Sequence, residues 1–326
     1  MPSVVIVYDL DAGSRRVLAE ALDGATDTIY LPDLDDTGRA NALRNADAVL
    51  ARTTRELHQG EIALLKDIRL LQFINAGIDF VPLADLPSGV QVATNGGAYA
   101  EPMAEHALAM ALAAAKRLLP EHAALSRGEF NQFARNRMLA GGVCGILGFG
   151  GIGIAMARLA RGIGMTVHAI NRRGRSEEPT DWIGTPDQLD VLLAASDLLV
   201  VATPLTPATL GLIGAPQLAR MKQDAIVVNL ARGEIIDERA LYEHLVANPR
   251  FTACIDAWWI EPVRHGEFRM DQPFLSLPNV VGSPHNSAAA IAGTNAVGLR
   301  RAATNIKRAL AGEAPLYLVP PEDRMM

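Results

Sequence analysis

Apolar runs of strand length alternate along the chain with stretches whose apolar positions recur every three to four residues. In the first third, residues 4–8, 28–31, 48–51, 70–74 and 90–93 read as strands, and residues 14–22 and 60–65 read as helices between them. A loop then leads into an alanine-rich helix from Pro102 to about Leu119, with Pro102 suited to a first helical turn. Residues 120–140 are polar, carry several arginines, and read as a connection across a domain boundary. A second strand–helix series follows, with strands at 143–147, 165–170, 197–203, 225–230, 251–257 and 280–283. A final helical pattern runs from about Asn286 to Ala311. Strands alternating with helices predict parallel sheets with helices on both faces. No short fixed period repeats, so two successive sheets are a doubling of architecture and not a solenoid.

The second series opens with the most informative stretch. After the 143–147 run come Gly148, Gly150 and Gly153 in the spacing G-x-G-x-x-G, followed at once by a helical pattern and then by the 165–170 run. Glycine-rich spacing alone is a weak signal in a chain with 28 glycines. Strand before and helix after make it specific for a dinucleotide loop. Gly148 permits the tight turn, Gly150 lets backbone approach a pyrophosphate, and Gly153 lets the helix pack close to the strand. Free N–H groups at the helix start suit phosphate. The expected class is therefore α/β: two Rossmann-like or flavodoxin-like doubly wound parallel-sheet domains, with the active site in the cleft between them. Residues 1–97 with 287–326 form a discontinuous flavodoxin-like substrate domain, and residues 98–286 form the dinucleotide-binding Rossmann domain.

The end of the next strand refines the cofactor. An NAD site usually carries Asp or Glu there for the ribose hydroxyls. This chain carries Asn171, Arg172, Arg173 and Arg175. No carboxylate repels a 2′-phosphate, and guanidinium groups can hold one. NADP(H) is expected to be preferred, with NAD(H) as the alternative.

Composition narrows the rest. At 326 residues the chain exceeds one compact core, and 49% apolar with 20% charged residues is ordinary for a globular enzyme. A net charge of −6 gives no general attraction to nucleic acid or anionic membrane. Cys144 and Cys254 lie in apolar runs and read as buried thiols, which points to a reducing, cytoplasmic setting. The N-terminal run lacks a basic leader, no apolar span is long enough to cross a membrane, and no metal site is expected.

Three strand ends of the second series carry candidate chemistry. Arg232 follows the 225–230 run, Asp256 and Glu261 follow the 251–257 run, and His285 follows the 280–283 run. Ligands gather at carboxyl ends of strands in open sheets. Hydride transfer to a 2-oxo acid builds alkoxide charge, which a protonated imidazole neutralises. A carboxylate on the other ring nitrogen orients that imidazole, and an arginine holds the substrate carboxylate. His285 is thus the expected acid/base, Glu261 its partner and Arg232 the anchor. His106, alone among Ala, Leu and Met in a helix, reads as a packed residue. In the first series, Arg52 and the loop with Ala76 and Gly77 stand at strand ends, where backbone N–H groups suit a carboxylate.

These motifs bring a family into view. The chain resembles the D-isomer-specific 2-hydroxyacid dehydrogenases from about Asn75 to His285. The matching stretches are AGID (76–79), AEHALA (104–109), GFGGIG (148–153), PLTPATLGLIG (204–214), MKQDAIVVNLARGEIID (221–237), the Asp256 to Glu261-Pro262 segment and SPH (283–285). The resemblance implies Arg232, Glu261 and His285 as catalytic residues. It implies Asp256 on the nicotinamide carboxamide, with Ala76 and Gly77 on the substrate carboxylate. The cofactor-facing set is Gly148, Phe149, Gly150, Gly151, Ile152, Gly153, Asn171, Arg172, Arg173, Thr203, Pro204 and Asp256. It also implies a homodimer through the 102–119 helix. Where the family usually has Val-Phe, this chain has Ala257-Trp258-Trp259, and Asn286-Ser287-Ala288 follow its His; both departures bear on substrate selection.

The expected activity is NADPH-dependent reduction of a small anionic 2-oxo acid of the glyoxylate or hydroxypyruvate type to the D-2-hydroxy acid. The alternatives are an NAD-linked dehydrogenase running towards oxidation, of the phosphoglycerate type, and a nucleotide-sensing dimer without catalysis.

Overall fold

The apolar runs of the first third form one parallel sheet in the computed structural model, which describes residues 1–24, 26–79, 81–87, 89–289 and 294–323. Its strands are β1 (Ser3–Ile6), β2 (Asp27–Tyr30), β3 (Ala48–Ala51), β4 (Leu70–Phe73) and β5 (Val92–Ala93), in spatial order β2-β1-β3-β4-β5. Continuous apolar runs suit strands covered on both faces, and every residue of β3 and β4 is buried. Helices α1 (Ala12–Leu22) and α2 (Asp36–Arg44) start at Asp11 and Asp35, whose carboxylates accept from the Ser14 and Gly38 N–H groups. The helix expected over 60–65 is instead 3₁₀, at Ile62–Asp67. Just before it, the buried Glu61 carboxylate accepts from Arg39 Nε and Nη2 and from the His58 N–H, at 2.7–2.8 Å. That fixed start and a short span to β4 leave room for tight turns only.

The second series forms another all-parallel sheet. Its strands are β6 (Val143–Leu147), β7 (Thr166–Ile170), β8 (Trp182–Gly184), β9 (Leu198–Val201), β10 (Ile226–Asn229), β11 (Thr252–Ile255) and β12 (Val280–Gly282). The order is β12-β11-β10-β9-β6-β7-β8, with every pairing parallel. Counted from β6, the first six strands follow the doubly wound order of dinucleotide-binding folds, whose order reverses beside the first strand. The short β8 has no counterpart among the sequence-based expectations. Helices of this part are α3 (Ala100–Ala115), α4 (Leu118–Ser126), α5 (Gly151–Gly162), α6 (Leu189–Ala195), α7 (Ala215–Leu218), α8 (Glu238–Ala247) and α9 (Pro262–His265). The last helix, α10 (Thr294–Leu310), packs on α1, β3 and β4 through Leu299, Ala302, Ala303 and Ile306.

Two compact units result, Met1–Tyr99 with Ala290–Met326, and Ala100–Ala289. Residues 120–140 therefore lie inside the second unit and are not a crossing between units. The expected 102–119 helix breaks at Arg117, which adopts φ 54°. Pro120 has no N–H to extend the ladder of α3, so the chain restarts as α4 with Pro120 in its first turn. The final helix begins at Thr294 and not near Asn286, because the Asn286 and Ser287 N–H groups donate to Asp256. Residues 290–293 of that expected helix lie outside the described residues.

Among the described residues no helix is long and apolar enough to cross a membrane, and no group of side chains is arranged to hold a metal ion. Cys144 and Cys254 are free and buried, and burial pushes the Cys144 thiol up to about 12.

Titratable groups inside the units set an acid limit. Burial lowers the pKa of His168 and His244 below the ordinary 6.5. The unfolded chain then binds more protons, so stability falls as pH drops below 6.5 towards the folded values. Glu61, Asp197 and Glu261 are held below the usual carboxylate range, because ion pairs and hydrogen bonds outweigh burial. Their contribution is lost at lower pH, as each is protonated through its folded value. Glu238, raised by burial, opposes this within its own window. Urea midpoints should fall between pH 7 and 5.5 and fall further near pH 4. A flat midpoint over that span would contradict this assignment.

Candidate active site

Arg232, Glu261 and His285 all follow the carboxyl ends of neighbouring strands, β10, β11 and β12. The His285 Nδ1 lies 2.8 Å from each Glu261 oxygen. Glu261 is 8% exposed and the His285 side chain 31% exposed, so one partner is sheltered while the other reaches solvent. Burial would raise the Glu261 pKa, but the His285 ring, the Trp258 N–H and the nearby Arg232 charge together hold it low. A charged carboxylate accepts only, so Nδ1 carries the proton and Nε2 is left to work. Arg232 is half-buried; its Nη1 donates to the Ala231 carbonyl at 2.7 Å, and its own carbonyl accepts from Asn229 Nδ2 at 2.8 Å. Gly233 follows because an added Cβ would lie 2.5 Å from the Trp258 carbonyl carbon.

His285 adopts φ 49°, a left-handed conformation that costs a non-glycine residue about 1 kcal/mol. The surroundings over-determine it. Asp256, fully buried, accepts from Ser283 Oγ at 2.6 Å, Asn286 N at 3.2 Å and Ser287 N at 3.3 Å. Trp258 Nε1 donates to the Ser283 carbonyl at 2.8 Å. Trp259 Nε1 donates to the Ile236 carbonyl, and its ring stacks on Phe274 at 5.2 Å. Both tryptophans thus buttress strand-end loops.

The glycine loop fits a dinucleotide. Gly148 adopts φ 102°, and a Cβ there would lie 2.5 Å from the Thr203 N. A Cβ on Gly153 would run into the Gly148 carbonyl. One on Gly150 meets nothing within 4 Å, so the missing side chain leaves open space at the start of α5, where no side chain caps the helix. Gly151 and Ile152 are half-buried in that first turn. Phe149 differs: its side chain is buried and its N–H donates to the Ile170 carbonyl. Thr203 is half-buried and Pro204 exposed after β9. At the end of β7, Asn171 shapes the turn, accepting from Arg173 N and donating to the Arg175 carbonyl, both at 2.9 Å. Arg172, Arg173 and Arg175 are exposed there, while the nearby Glu178 is paired with Arg158 and Arg161.

Residues 108–287 match the model of the D-isomer specific 2-hydroxyacid dehydrogenase NAD-binding domain, which is more than half of the chain. The chain belongs to the D-isomer-specific 2-hydroxyacid dehydrogenase family. It is 32% identical over 295 residues to a glyoxylate/hydroxypyruvate reductase B of Pectobacterium carotovorum, covering 89% of each chain. It is 30% identical over 275 residues to a D-3-phosphoglycerate dehydrogenase of Methanocaldococcus jannaschii, covering 83% of this chain and 51% of that one. The chain thus spans about half the length of that relative. Among solved structures, a D-isomer specific 2-hydroxyacid dehydrogenase of Xanthobacter autotrophicus, in complex with NADPH and MES, is 26% identical with a TM-score of 0.79, over 98% of both chains.

The first unit of this dehydrogenase fold places its expected residues on neighbouring strand ends. Ala76 and Gly77 are half-buried in the bend after β4, and Asn75 Nδ2 donates to the Arg52 carbonyl at 2.8 Å. The Arg52 guanidinium pairs with Glu56 at 3.1 Å and lies 5.5 Å from the Tyr8 ring centroid. Sequence reasoning missed Tyr8, whose buried hydroxyl has no hydrogen-bond partner among the described residues. Burial pushes that hydroxyl's pKa up, with Tyr99, Arg52 and Glu56 as charged or ionisable neighbours. It also missed His265, whose Nδ1 accepts the Glu261 N–H at 3.0 Å. His106 is not simply packed: its Nε2 lies 3.0 Å from Ser283 Oγ. The only sequence signal for it is its place in the AEHALA stretch.

Proposed function

We propose that the chain is an NADPH-preferring reductase of small 2-oxo acids, of which glyoxylate and hydroxypyruvate are the best candidates. The observation that carries this reading is the His285–Glu261 pair, 2.8 Å apart at the edge of a sheet that also bears the glycine loop. The glycine loop would hold a reduced nicotinamide cofactor, which would supply the hydride. His285, protonated, donates from Nε2 to the carbonyl oxygen as its charge develops, and Glu261 favours the charged ring. Arg232 holds the substrate carboxylate and polarises the carbonyl. Ala76, Gly77 and Arg52 serve the substrate's anionic end. Asp256 and the loop from Thr203 would serve the nicotinamide end of the cofactor, while Arg172, Arg173 and Arg175 would hold a 2′-phosphate. Two buried reduced thiols suit a reducing cytoplasm.

A spectrophotometric panel of 2-oxo acids with NADPH and NADH tests this. Turnover of a short 2-oxo acid with the lower Michaelis constant for NADPH is expected. A lower value for NADH would remove the cofactor reading. Turnover only towards oxidation with NAD would favour the phosphoglycerate-type alternative, and no turnover at all would favour a nucleotide sensor.

The partner is a second copy of the chain. The segment after α3 takes in Leu118 and Leu119 of the expected 102–119 interface and runs beyond it, exposing also Leu125, Phe130, Phe133 and Met138, with Phe130 at 79% and Phe133 at 83%. Such a grouping is costly in a monomer. Beside it Arg117 pairs with Glu121 and Arg127 with Glu129 within the chain, so these charges set no net repulsion against a second copy of the same surface. Light scattering after size exclusion should give twice the mass of 34.8 kDa. Replacing Phe130 and Phe133 by serine should shift it towards monomer; a monomeric wild type would overturn the assignment.

A further inference from the structure

Asp256 is a fully buried carboxylate beside the catalytic strand ends, and it is held by a chain of side chains that the reaction as described does not use. Ser283 Oγ lies 2.6 Å from Asp256 Oδ1, 3.0 Å from His106 Nε2 and 3.6 Å from Met110 Sδ. His106 Nε2 is itself 3.7 Å from Asp256 Oδ1. All these residues belong to the second unit: His106 and Met110 to α3, Asp256 to the end of β11, and Ser283 to the end of β12.

Proton accounting fixes the arrangement. A serine hydroxyl has one proton to give. The short bond to a carboxylate is the stronger of its two choices, and the thioether of Met110 the weaker. If the hydroxyl donates to Asp256, its oxygen must accept from His106, which therefore carries its proton on Nε2. That N–H steers the serine proton away from Met110 and onto Asp256. Asp256 in turn accepts from Asn286 N and Ser287 N, the two N–H groups that follow His285. A Ser–His–Asp set is also the residue set of many hydrolases. Here the carboxylate sits on the serine, with no route to activate it, so nucleophilic attack is not the use.

We propose that His106 is a positioning residue for the proton donor. Through Ser283 and Asp256 it locks the 283–287 loop, and so keeps the strained backbone of His285 and its ring facing Glu261. This deepens the reductase reading and rests on it. Removing the His106 ring frees the Ser283 hydroxyl to turn to Met110 and loosens the loop on one side. Trp258 still holds the Ser283 carbonyl, so the fold survives.

The test uses the full chain. His106→Ala should lower kcat about 3- to 10-fold, the loss expected for one orienting hydrogen bond, with the Michaelis constant for NADPH within about two-fold. His106→Gln, which puts an amide N–H near the Nε2 position, should restore kcat. Ser283→Ala added to His106→Ala should cost little more, since both break one chain. A kcat near wild type in His106→Ala, or equal impairment in the Ala and Gln variants, would overturn the proposal; the second result marks lost packing. A readout free of turnover separates this from failure of the reductase reading. Nitrogen NMR of labelled histidines should show His106 as the Nε2–H tautomer, with its signal moved by Ser283→Ala. An Nδ1–H tautomer would overturn the proposal even in an active enzyme, and an inactive wild type with the expected tautomer would leave the network standing and remove only the substrate reading.

Discussion

Replacing His285 by Ala should lower kcat for 2-oxo acid reduction by about 10²- to 10⁴-fold, the range that a positioned proton donor supplies. Affinity for NADPH should stay within about two-fold, because the glycine loop and the basic strand end are far along the sheet from β12. The variant also leaves Glu261 without its ring partner. That carboxylate is buried but keeps the Trp258 N–H at 2.7 Å, so the stability loss should stay near 1–3 kcal/mol. Pre-steady-state mixing with NADPH, read by fluorescence and by absorbance of the reduced ring, separates binding from turnover. Near-normal turnover would remove His285 as donor, and a large loss of NADPH affinity would assign it to the cofactor instead. Glu261→Gln offers a graded companion. It keeps a hydrogen-bonding side chain but removes the charge that favours imidazolium, so reduction should fall while the fold is kept.

The strands and the candidate site residues were legible for the same reason. Buried parallel strands must be continuous apolar runs, and ligand groups in such sheets must sit just beyond them. Arg232, Glu261 and His285 each stand within a few residues of a run's end, so position and chemical type marked them together. The glycine loop was legible because steric necessity writes it: Gly148 and Gly153 tolerate no Cβ, as the close approach to Thr203 and the Gly148 carbonyl shows.

What stayed hidden depends on residues far apart in sequence. His106 and Ser283 are 177 positions apart, and nothing local to either indicates the other. The break at Arg117 is a backbone event in a segment whose side chains all favour helix until Pro120. The start of the last helix was misplaced because Asn286 and Ser287 look compatible with one, whereas Asp256 takes their N–H groups. The tryptophan pair bears on substrate choice by sequence, and its structural task was not legible there: the indole N–H groups satisfy carbonyls of Ser283 and Ile236, and the large rings fill the space beside Phe274.

Two glycine substitutions in one loop should fail in opposite ways. Gly148→Ala forces a side chain onto φ 102° and drives its Cβ to 2.5 Å from the Thr203 N and 2.7 Å from the Ala202 carbonyl carbon. Those atoms are backbone of the chain leaving β9 and cannot rotate aside. Strain of about 1–2 kcal/mol adds to overpacking of about 1–3 kcal/mol, a large share of a domain's net stability. A lowered melting temperature without any ligand, or insoluble protein, is expected. Gly150→Ala meets nothing within 4 Å and sits at φ −100°, where any residue is comfortable. Its fold should therefore be unchanged, and the new methyl instead occupies the space beside the first turn of α5 that a pyrophosphate needs. NADPH affinity should drop about 10- to 100-fold, comparable to one or two lost phosphate contacts at about 1.4 kcal/mol per ten-fold. Thermal melts of both variants, paired with NADPH titrations, check the contrast. If Gly150→Ala binds NADPH like the wild type, the pyrophosphate does not approach at that position, and the space over the helix start is there for some other reason than the cofactor.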